Sequence, residues 1–293
     1  MPDVKIYIAC HKQMNLPKYD LFYPVQAGAA LAKEYFSNML HDDTENHISE
    51  KNDSYCELTV QYWAWKNQTA DYYGFFHYRR ILSFNEKQAA DYKVYLKTFN
   101  DTILKKHGYT AHNVIPFVKQ YDLLLPRGEI TTETVYQKYA GAEHHYAEDL
   151  DCIMALISEK YPAYVPAMQQ YLYGHTQYYY NMYVMKHALF QQYCSWLFPL
   201  LEQFDGCNNR AKYGTDKAAL RVDGYLAERL FGIWFTYQKQ NSDIHYCELP
   251  VLYFAMGNIN DYCKQWLKNK LFPVGSKQRH IMKSLIRRKH KGM

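Results

Sequence analysis

The sequence has little of what marks fibrous, disordered, secreted or membrane-spanning chains. Glycine and proline are sparse, at 13 and 10 of 293 residues, which argues against a repeat or low-complexity protein. The seven cysteines are scattered and form no Cys-x-x-Cys pair. We therefore expect neither a disulfide framework nor a zinc site, and a reducing cytoplasm fits best. Because no run of about 18 apolar residues and no signal-peptide pattern occurs, we expect no membrane span.

Aromatic residues, by contrast, are abundant. They make up 17% of the chain, with 31 tyrosines, a composition that favours a packed, enzyme-like domain. Tyrosine rings can stack on sugars or nucleobases, although we expect most of them in the core. Because neither a repeat nor a linker interrupts the main part of the sequence, we predict one domain over residues 1–270 and a tail over residues 271–293.

Charge separates the tail from the domain. Residues 262–293 contain ten Lys and Arg and no Asp or Glu, which leaves 24 basic and 29 acidic residues in the rest of the chain. One helical stripe among these cations is apolar: Ile281, Met282, Leu285 and Ile286. This pattern predicts a basic amphipathic helix that lies on an anionic membrane. Nucleic acid would attract the same charges, but the acidic domain offers no continuing basic groove, so no nucleic-acid partner is expected.

Hydrophobic patterns predict alternating strands and helices. The first elements are a strand at 4–9, a helix at 23–39, a helix ending at Lys66-Asn67 and a strand at 72–77. This β-α-α-β start indicates an α/β fold with a parallel sheet. Later strands are predicted at 121–126, 178–186 and 247–251, and later helices at 147–160, 188–204 and 221–235.

The strand at 72–77 leads into an unusual polar sequence. Its apolar and aromatic residues favour a strand covered on both faces, and His77, Tyr78, Arg79 and Arg80 follow at once. One arginine could hold a phosphate bidentately while the other packs against a carboxylate. The alternative is a strand that simply emerges into solvent, and these residues alone leave both possibilities open.

Several blocks together resemble one family, the bacterial polysaccharide-cluster proteins once labelled a domain of unknown function and now regarded as galactofuranosyltransferases. The blocks occur in consistent order between residues 4 and 252, and seven in sequence make a specific signal. They are residues 5–12, 46–52, 55–59 with 62–67, 74–80, 145–151, 181–186 and 224–231.

The resemblance implies a single GT-A-like α/β domain with a mainly parallel central sheet flanked by helices. It further implies an inverting transferase that uses UDP-galactofuranose and a lipid-linked glycan acceptor, peripheral at the cytoplasmic face of the plasma membrane. The expected product belongs to capsule, exopolysaccharide or O-antigen. Two alternatives stay open: a transferase with a UDP-pyranose donor such as UDP-galactose, and a non-catalytic glycan- or membrane-binding module.

Many GT-A enzymes neutralise the donor diphosphate with a metal on an Asp-x-Asp motif, which is missing from the strand end here. We predict that Arg79 or Arg80, with His77, supplies part of this charge instead. His77 could also bind Mn²⁺ or Mg²⁺, so a divalent cation is left open and no metal ligand is assigned. The predicted donor-binding residues are Ala9, His11, Lys51, Asn52, Glu57, His77, Tyr78, Arg79, Arg80 and Asn181.

A catalytic base must take the acceptor's proton. We predict Glu228 first and Asp223 second, with the alternative that Glu228 only pairs with Arg229 or Arg221. Asp149 is a further catalytic candidate, although acidic residues at a helix start also interact favourably with the helix dipole. Predicted acceptor-side residues are His144, His145 and Glu148.

Overall fold

A computed structural model of the chain describes residues 2–85, 93–110 and 112–254, with three isolated positions beyond them at 267, 271 and 278. The apolar stripe predicted in the tail lies outside the described residues. Within them, no helix combines the length and apolar character needed to cross a bilayer.

Strands and helices alternate along the described chain. The strands are β1 (Val4–Cys10), β2 (Phe22–Gln26), β3 (Leu40–His41), β4 (Tyr72–His77), β5 (Arg80–Leu82), β6 (Lys93–Leu96), β7 (Leu123–Pro126), β8 (Glu129–Ile130), β9 (Thr176–Gln177), β10 (Tyr183–Lys186), β11 (Tyr246–Leu249) and β12 (Val251–Phe254). The α-helices are α1 (Asn52–Tyr55), α2 (Leu58–Asn67), α3 (Asp101–Lys106), α4 (Val114–Val118), α5 (Val135–Ala140), α6 (Ala147–Lys160), α7 (Val165–Leu172), α8 (His187–Cys207) and α9 (Val222–Asn241). Short 3₁₀ turns are Ala29–Leu31, Ser49–Lys51, Pro162–Tyr164, Arg210–Tyr213 and Ala219–Arg221.

The central sheet has the order β11-β7-β10-β4-β1-β2-β3, and β5, β12 and β6 extend it from β4. Strands β1, β2, β3 and β4 run parallel, as do β7 with β11 and β6 with β12. Strand β10 is antiparallel to both of its neighbours. Strand β5 is likewise antiparallel to β4 and β12. The mainly parallel α/β sheet predicted from the sequence is therefore confirmed, with β10 and β5 as its reversed strands.

Strand β4 is buried on both faces, as its composition predicts. Tyr73 and Phe75 join the core on one side, where α2, α6, α8 and α9 pack. Tyr72 and Phe76 join the core on the other side with residues of α3 and α4. Gly74 is needed because a Cβ there would lie 2.9 Å from the Ile6 side chain on β1. The helix layers on the two faces therefore enclose β1 and β4, whose carboxyl ends emerge side by side.

Two sequence predictions differ from the structure. The predicted helix over residues 23–39 is wrong: Phe22–Gln26 is a strand paired with β1, because its aromatic and β-branched residues suit a sheet. Gly28, with φ +69°, then turns the chain. The strand predicted from residue 178 begins only at Tyr183, because Tyr180 and Asn181 have the left-handed φ values +81° and +48°.

Candidate active site

A cavity of about 420 Å³ opens where β1 and β4 end. Ligands of open α/β sheets bind at this edge, because parallel strands end there together and helices begin there. Ala9 at the end of β1 pairs in register with His77 at the end of β4. The lining residues are Ala9, His11, Ala27, Asn52, Asp53, Cys56, Glu57, His77, Tyr78, Arg79, Arg80, Tyr180, Lys217, Arg221, Gly224, Tyr225 and Glu228.

The strand-end half of the cavity is cationic. A tight turn joins β4 to β5 and pairs His77 with Arg80 across it, so both Arg79 and Arg80 reach the cavity rather than opposite faces. The guanidinium of Arg79 lies 5.2 Å from the ring centre of Tyr78, and that of Arg80 lies 4.8 Å from the ring centre of Tyr180. Within the described residues neither arginine forms an ion pair, and the Nε atom of Arg80 is buried without a partner.

Two histidines flank these arginines. His77 Nε2 lies 2.7 Å from the carbonyl oxygen of Tyr180, so this nitrogen must carry the proton and donate it. Burial lowers the pKa of His77. His11 Nε2 lies 3.1 Å from the hydroxyl of Tyr78, and burial together with the Arg79 charge lowers the pKa of His11. Because both imidazoles favour the neutral form, the positive charge of this half comes from the arginines.

The helical half of the cavity presents carboxylates. Glu228 on α9 accepts hydrogen bonds from the Tyr180 amide and from Arg229, each at 2.8 Å. Burial raises the pKa of Glu228 despite the adjacent Arg229. Glu57 lies across from it, 4.0 Å from His77 Nε2. A carboxylate with a raised pKa, fixed at a cavity wall, is suited to accept a proton.

A strained turn connects these groups. Tyr180 and Asn181 are consecutive non-glycine residues with positive φ, a conformation that costs energy and is often found at functional sites. Asn181 is buried and does not line the cavity. Its side-chain amide donates to Glu57 Oε1 at 2.8 Å and to the Gly224 carbonyl at 3.1 Å. Asn181, which was predicted to contact the donor, therefore holds Glu57 in position by a hydrogen bond from outside the cavity.

The chain is similar to one protein family and to one solved structure. Residues 5–241 match the family described as "Domain of unknown function (DUF4422)". The chain belongs to the DUF4422 family. The solved apo structure of the WbbM bifunctional glycosyltransferase is 31% identical to this DUF4422 chain and matches it with a TM-score of 0.82. That match covers 86% of the present chain and 45% of the other, so the DUF4422 chain spans less than half of that enzyme. No curated protein matches it.

The cavity also contains residues that the sequence interpretation missed. Arg221 and Lys217 line it, and Arg221 Nε donates to the sulfur of Cys56 at 3.2 Å. Gly224 allows this packing, because a Cβ there would lie 3.2 Å from the Cys56 sulfur. Cys56 is 165 residues from Arg221, so no local pattern in the DUF4422 sequence could have brought them together.

Two residues predicted for the site, Lys51 and Asp223, do not line the cavity and belong to a neighbouring cluster of ion pairs. Lys51 pairs with Asp205 at 3.2 Å. Asp223 is fully buried and bonded to Ser54 and to Arg210, which also pairs with Asp205. Burial raises the pKa of Asp223, with Arg210 opposing it. These contacts anchor the start of α9 to the 49–55 segment.

The predicted acceptor-side residues lie near the start of α6 and do not line the cavity. Asp149 is buried in an ion pair with Lys212, and His144 lies 2.7 Å from Asp216. His145 packs 4.3 Å from the ring centre of Tyr225, a cavity residue, so His145 backs the cavity wall. Glu148 is exposed in the first turn of α6. Their assignment to the acceptor stays a prediction.

A divalent cation requires several oxygen or nitrogen ligands that converge on one point. Within the described residues, no three His, Cys, Asp or Glu side chains form such a group. His77 and Glu57 approach each other, but the third neighbour, Tyr180, offers only a carbonyl that His77 already occupies. The described residues therefore supply no metal site of three protein ligands, and we derive no step through a metal.

Proposed function

We propose that this DUF4422 protein is an inverting glycosyltransferase. In our proposal it moves a galactofuranosyl residue from UDP-galactofuranose to a hydroxyl of a lipid-linked glycan in capsule, exopolysaccharide or O-antigen synthesis. The observation that carries the proposal is one cavity lined both by Arg79 and Arg80, which form no ion pair within the described residues, and by the half-buried carboxylate of Glu228. The similarity to a bifunctional glycosyltransferase supports the reaction class, and the sequence blocks support the choice of donor.

The strand-end half would hold the leaving group. As the acceptor oxygen attacks the anomeric carbon, the bond from that carbon to the diphosphate breaks and its electron pair stays on the diphosphate. Arg79 and Arg80 would neutralise this charge through bidentate hydrogen bonds. Arg221 and Lys217 would act from the opposite wall. Side chains thus supply the positive charge that a metal supplies in many transferases.

The helical half would hold the base. Glu228 would take the proton from the attacking hydroxyl, which keeps the acceptor oxygen nucleophilic as the new bond forms. The Tyr180 amide and Arg229 fix its two oxygens, so the carboxylate is oriented before substrate arrives. Like Asp223 and Asp149, Glu228 has a cationic partner, Arg229. We favour Glu228 because it lines the cavity and the other two do not.

Release of UDP tests the proposal. Purified protein is incubated with a glycan acceptor and either UDP-galactofuranose or UDP-galactose, with and without EDTA. We expect acceptor-dependent UDP release from UDP-galactofuranose that EDTA leaves intact. Faster release from UDP-galactose would assign a pyranose donor. No release with either donor would favour a non-catalytic module.

We also propose that the basic tail holds the protein on an anionic membrane. Each cation near such a surface contributes about 1 kcal/mol to binding. The triple variant Lys283→Glu, Arg287→Glu, Arg288→Glu should therefore fail to sediment with vesicles of phosphatidylglycerol and phosphatidylcholine, whereas the parent protein should sediment. Equal sedimentation of both proteins would refute the anchor.

A further inference from the structure

A second cavity of about 290 Å³ adjoins the first. Its lining residues are Glu50, Lys51, Asp53, Ser54, Tyr55, Asp205, Arg210 and Leu220. Asp53 lines both cavities. Nothing in the reaction proposed above uses this second space.

A single ridge divides the two cavities. Along residues 50–57, Asn52 and Cys56 face the first cavity, whereas Ser54 and Tyr55 face the second. The opposite wall divides in the same way, because Arg221 lines the first cavity and its neighbour Leu220 lines the second. The openings therefore meet at the exposed side chain of Asp53, which has no hydrogen bond or ion pair within the described part of the chain.

The two cavities differ in charge. In the second, Arg210 is paired with Asp205 and Asp223, and Lys51 is paired with Asp205. The hydroxyl of Tyr55 also donates to Asp205, at 2.8 Å. Because carboxylates already balance these cations, the second cavity lacks the unpaired positive charge that would attract a phosphate. Exposed carboxylates beside an apolar wall suit an uncharged ligand with several hydroxyl groups, such as a sugar.

The volume of the first cavity also indicates that the two substrates bind in separate cavities. Its volume of about 420 Å³ lies within the range of about 300–1,000 Å³ that one small ligand occupies. A nucleotide sugar would take up this space, so the second substrate needs a place beside it. The second cavity, at about 290 Å³, lies just below that range, a size that suits a single sugar ring.

We propose that the second cavity binds a sugar ring of the glycan acceptor, against Leu220, with Asp53 accepting a hydrogen bond from it at the junction. This assignment rests on the proposed transferase function. It makes Asp53 the contact between the two substrates.

Binding of simple glycosides in the presence of UDP tests this proposal. The probes are octyl glycosides of galactose, glucose, mannose, rhamnose and N-acetylglucosamine, measured by saturation-transfer NMR and calorimetry. Leu220→Trp fills the cavity, and Glu50→Arg crowds it from a side chain that is 55% exposed. Glu50→Arg gives up only a surface pair with His47, which contributes little to stability. Ile130→Trp, at a site 65% exposed and outside both cavities, is the matched control.

We expect the parent protein and the control to bind at least one glycoside, and both cavity variants to bind it at least tenfold more weakly. Their affinity for UDP should stay within twofold of the parent value. Unchanged glycoside binding by both variants would overturn the assignment, as would a parent protein that binds UDP but none of the glycosides. Loss of UDP binding by the parent protein would instead contradict the transferase function itself.

Discussion

The two halves of the first cavity are built in different ways. The strand-end half comes mainly from four consecutive residues, His77–Arg80, at the end of one buried strand. The helical half comes from segments far apart in the chain, which carry Glu57, Arg221 and Glu228. The first half displays arginines that form no ion pair with any described residue, and the second displays carboxylates held by hydrogen bonds. A continuous stretch of sequence can therefore supply the positive charge of one cavity wall. The acid on the other wall is placed there only by the packing of helices that are distant in the chain.

The largest predicted effect concerns the helical half. Glu228→Gln removes the proposed proton acceptor with little change in shape, and we expect kcat to fall about 10²–10⁴-fold. Affinity for UDP should hardly change, because the cations of the strand-end half remain. Glu202→Gln, an exposed site on α8, is the control. A variant that keeps more than about a tenth of the turnover would remove Glu228 from this role.

The pH dependence sharpens the same prediction. Since burial raises the pKa of Glu228, the carboxylate should become protonated at a higher pH than an ordinary glutamate, whose pKa is about 4.3. As the pH is lowered, kcat should therefore begin to decline while the pH is still above the ordinary glutamate pKa. A pH–rate profile of kcat shows this limb, and an identical limb in the residual activity of Glu228→Gln would assign it to another group.

The neighbouring acid on the same helix should matter for stability. Asp223→Ala removes one of the two carboxylates that balance Arg210. We expect the free energy of unfolding to fall by about 2–3 kcal/mol, less than for a fully buried pair because Arg210 is partly exposed and keeps Asp205. Urea unfolding measures the loss. Adding Arg210→Met to Asp223→Ala should restore part of it, and a fully additive double variant would contradict the pairing.

The arginines of the strand-end half should control donor affinity. Arg79→Met and Arg80→Met each remove hydrogen bonds to a charged group, worth about 1.5–3 kcal/mol, so UDP should bind roughly 10–100-fold more weakly. Calorimetry with UDP measures this, and Lys105→Met on the exposed side of α3 is the control. Unchanged affinity in both arginine variants would end the proposal that they bind the diphosphate.

The smallest predicted effect concerns His145, which packs behind the helical half of the cavity. Burial lowers the pKa of His145 to about 4, so between pH 6.5 and 4 the unfolded state binds a proton that the folded state does not. The free energy of unfolding should therefore decrease as the pH is lowered through this window. In His145→Phe this decrease should be smaller by about 1–2 kcal/mol. Urea unfolding at pH 7 and pH 4.5 compares the proteins, with His175→Phe as an exposed control. Equal pH dependence in the parent and His145→Phe would contradict the burial of this ring.

Local patterns predicted many elements correctly. The strand β4, the helices α2, α6, α8 and α9, and the cluster at the β4 end all follow from apolar periodicity and composition. The predicted helix over residues 23–39 failed because a pairing with β1 decides the structure there. Asn181 and Lys51, both predicted at the donor, contact Glu57 and Asp205, and their role in donor binding stays a prediction.

By itself, the sequence determined the α/β alternation, the doubly buried strand and the two guanidiniums at its end. These features depend on residues close together in the chain, where the size and periodicity of the side chains decide the local secondary structure. Only the tertiary structure decided that Glu228 faces those guanidiniums, that Asp223 does not, and that Asp53 lies between two cavities. The physical reason is that the segments meeting at these places lie far apart in the chain, as the Tyr55–Asp205 and Ser54–Asp223 contacts show.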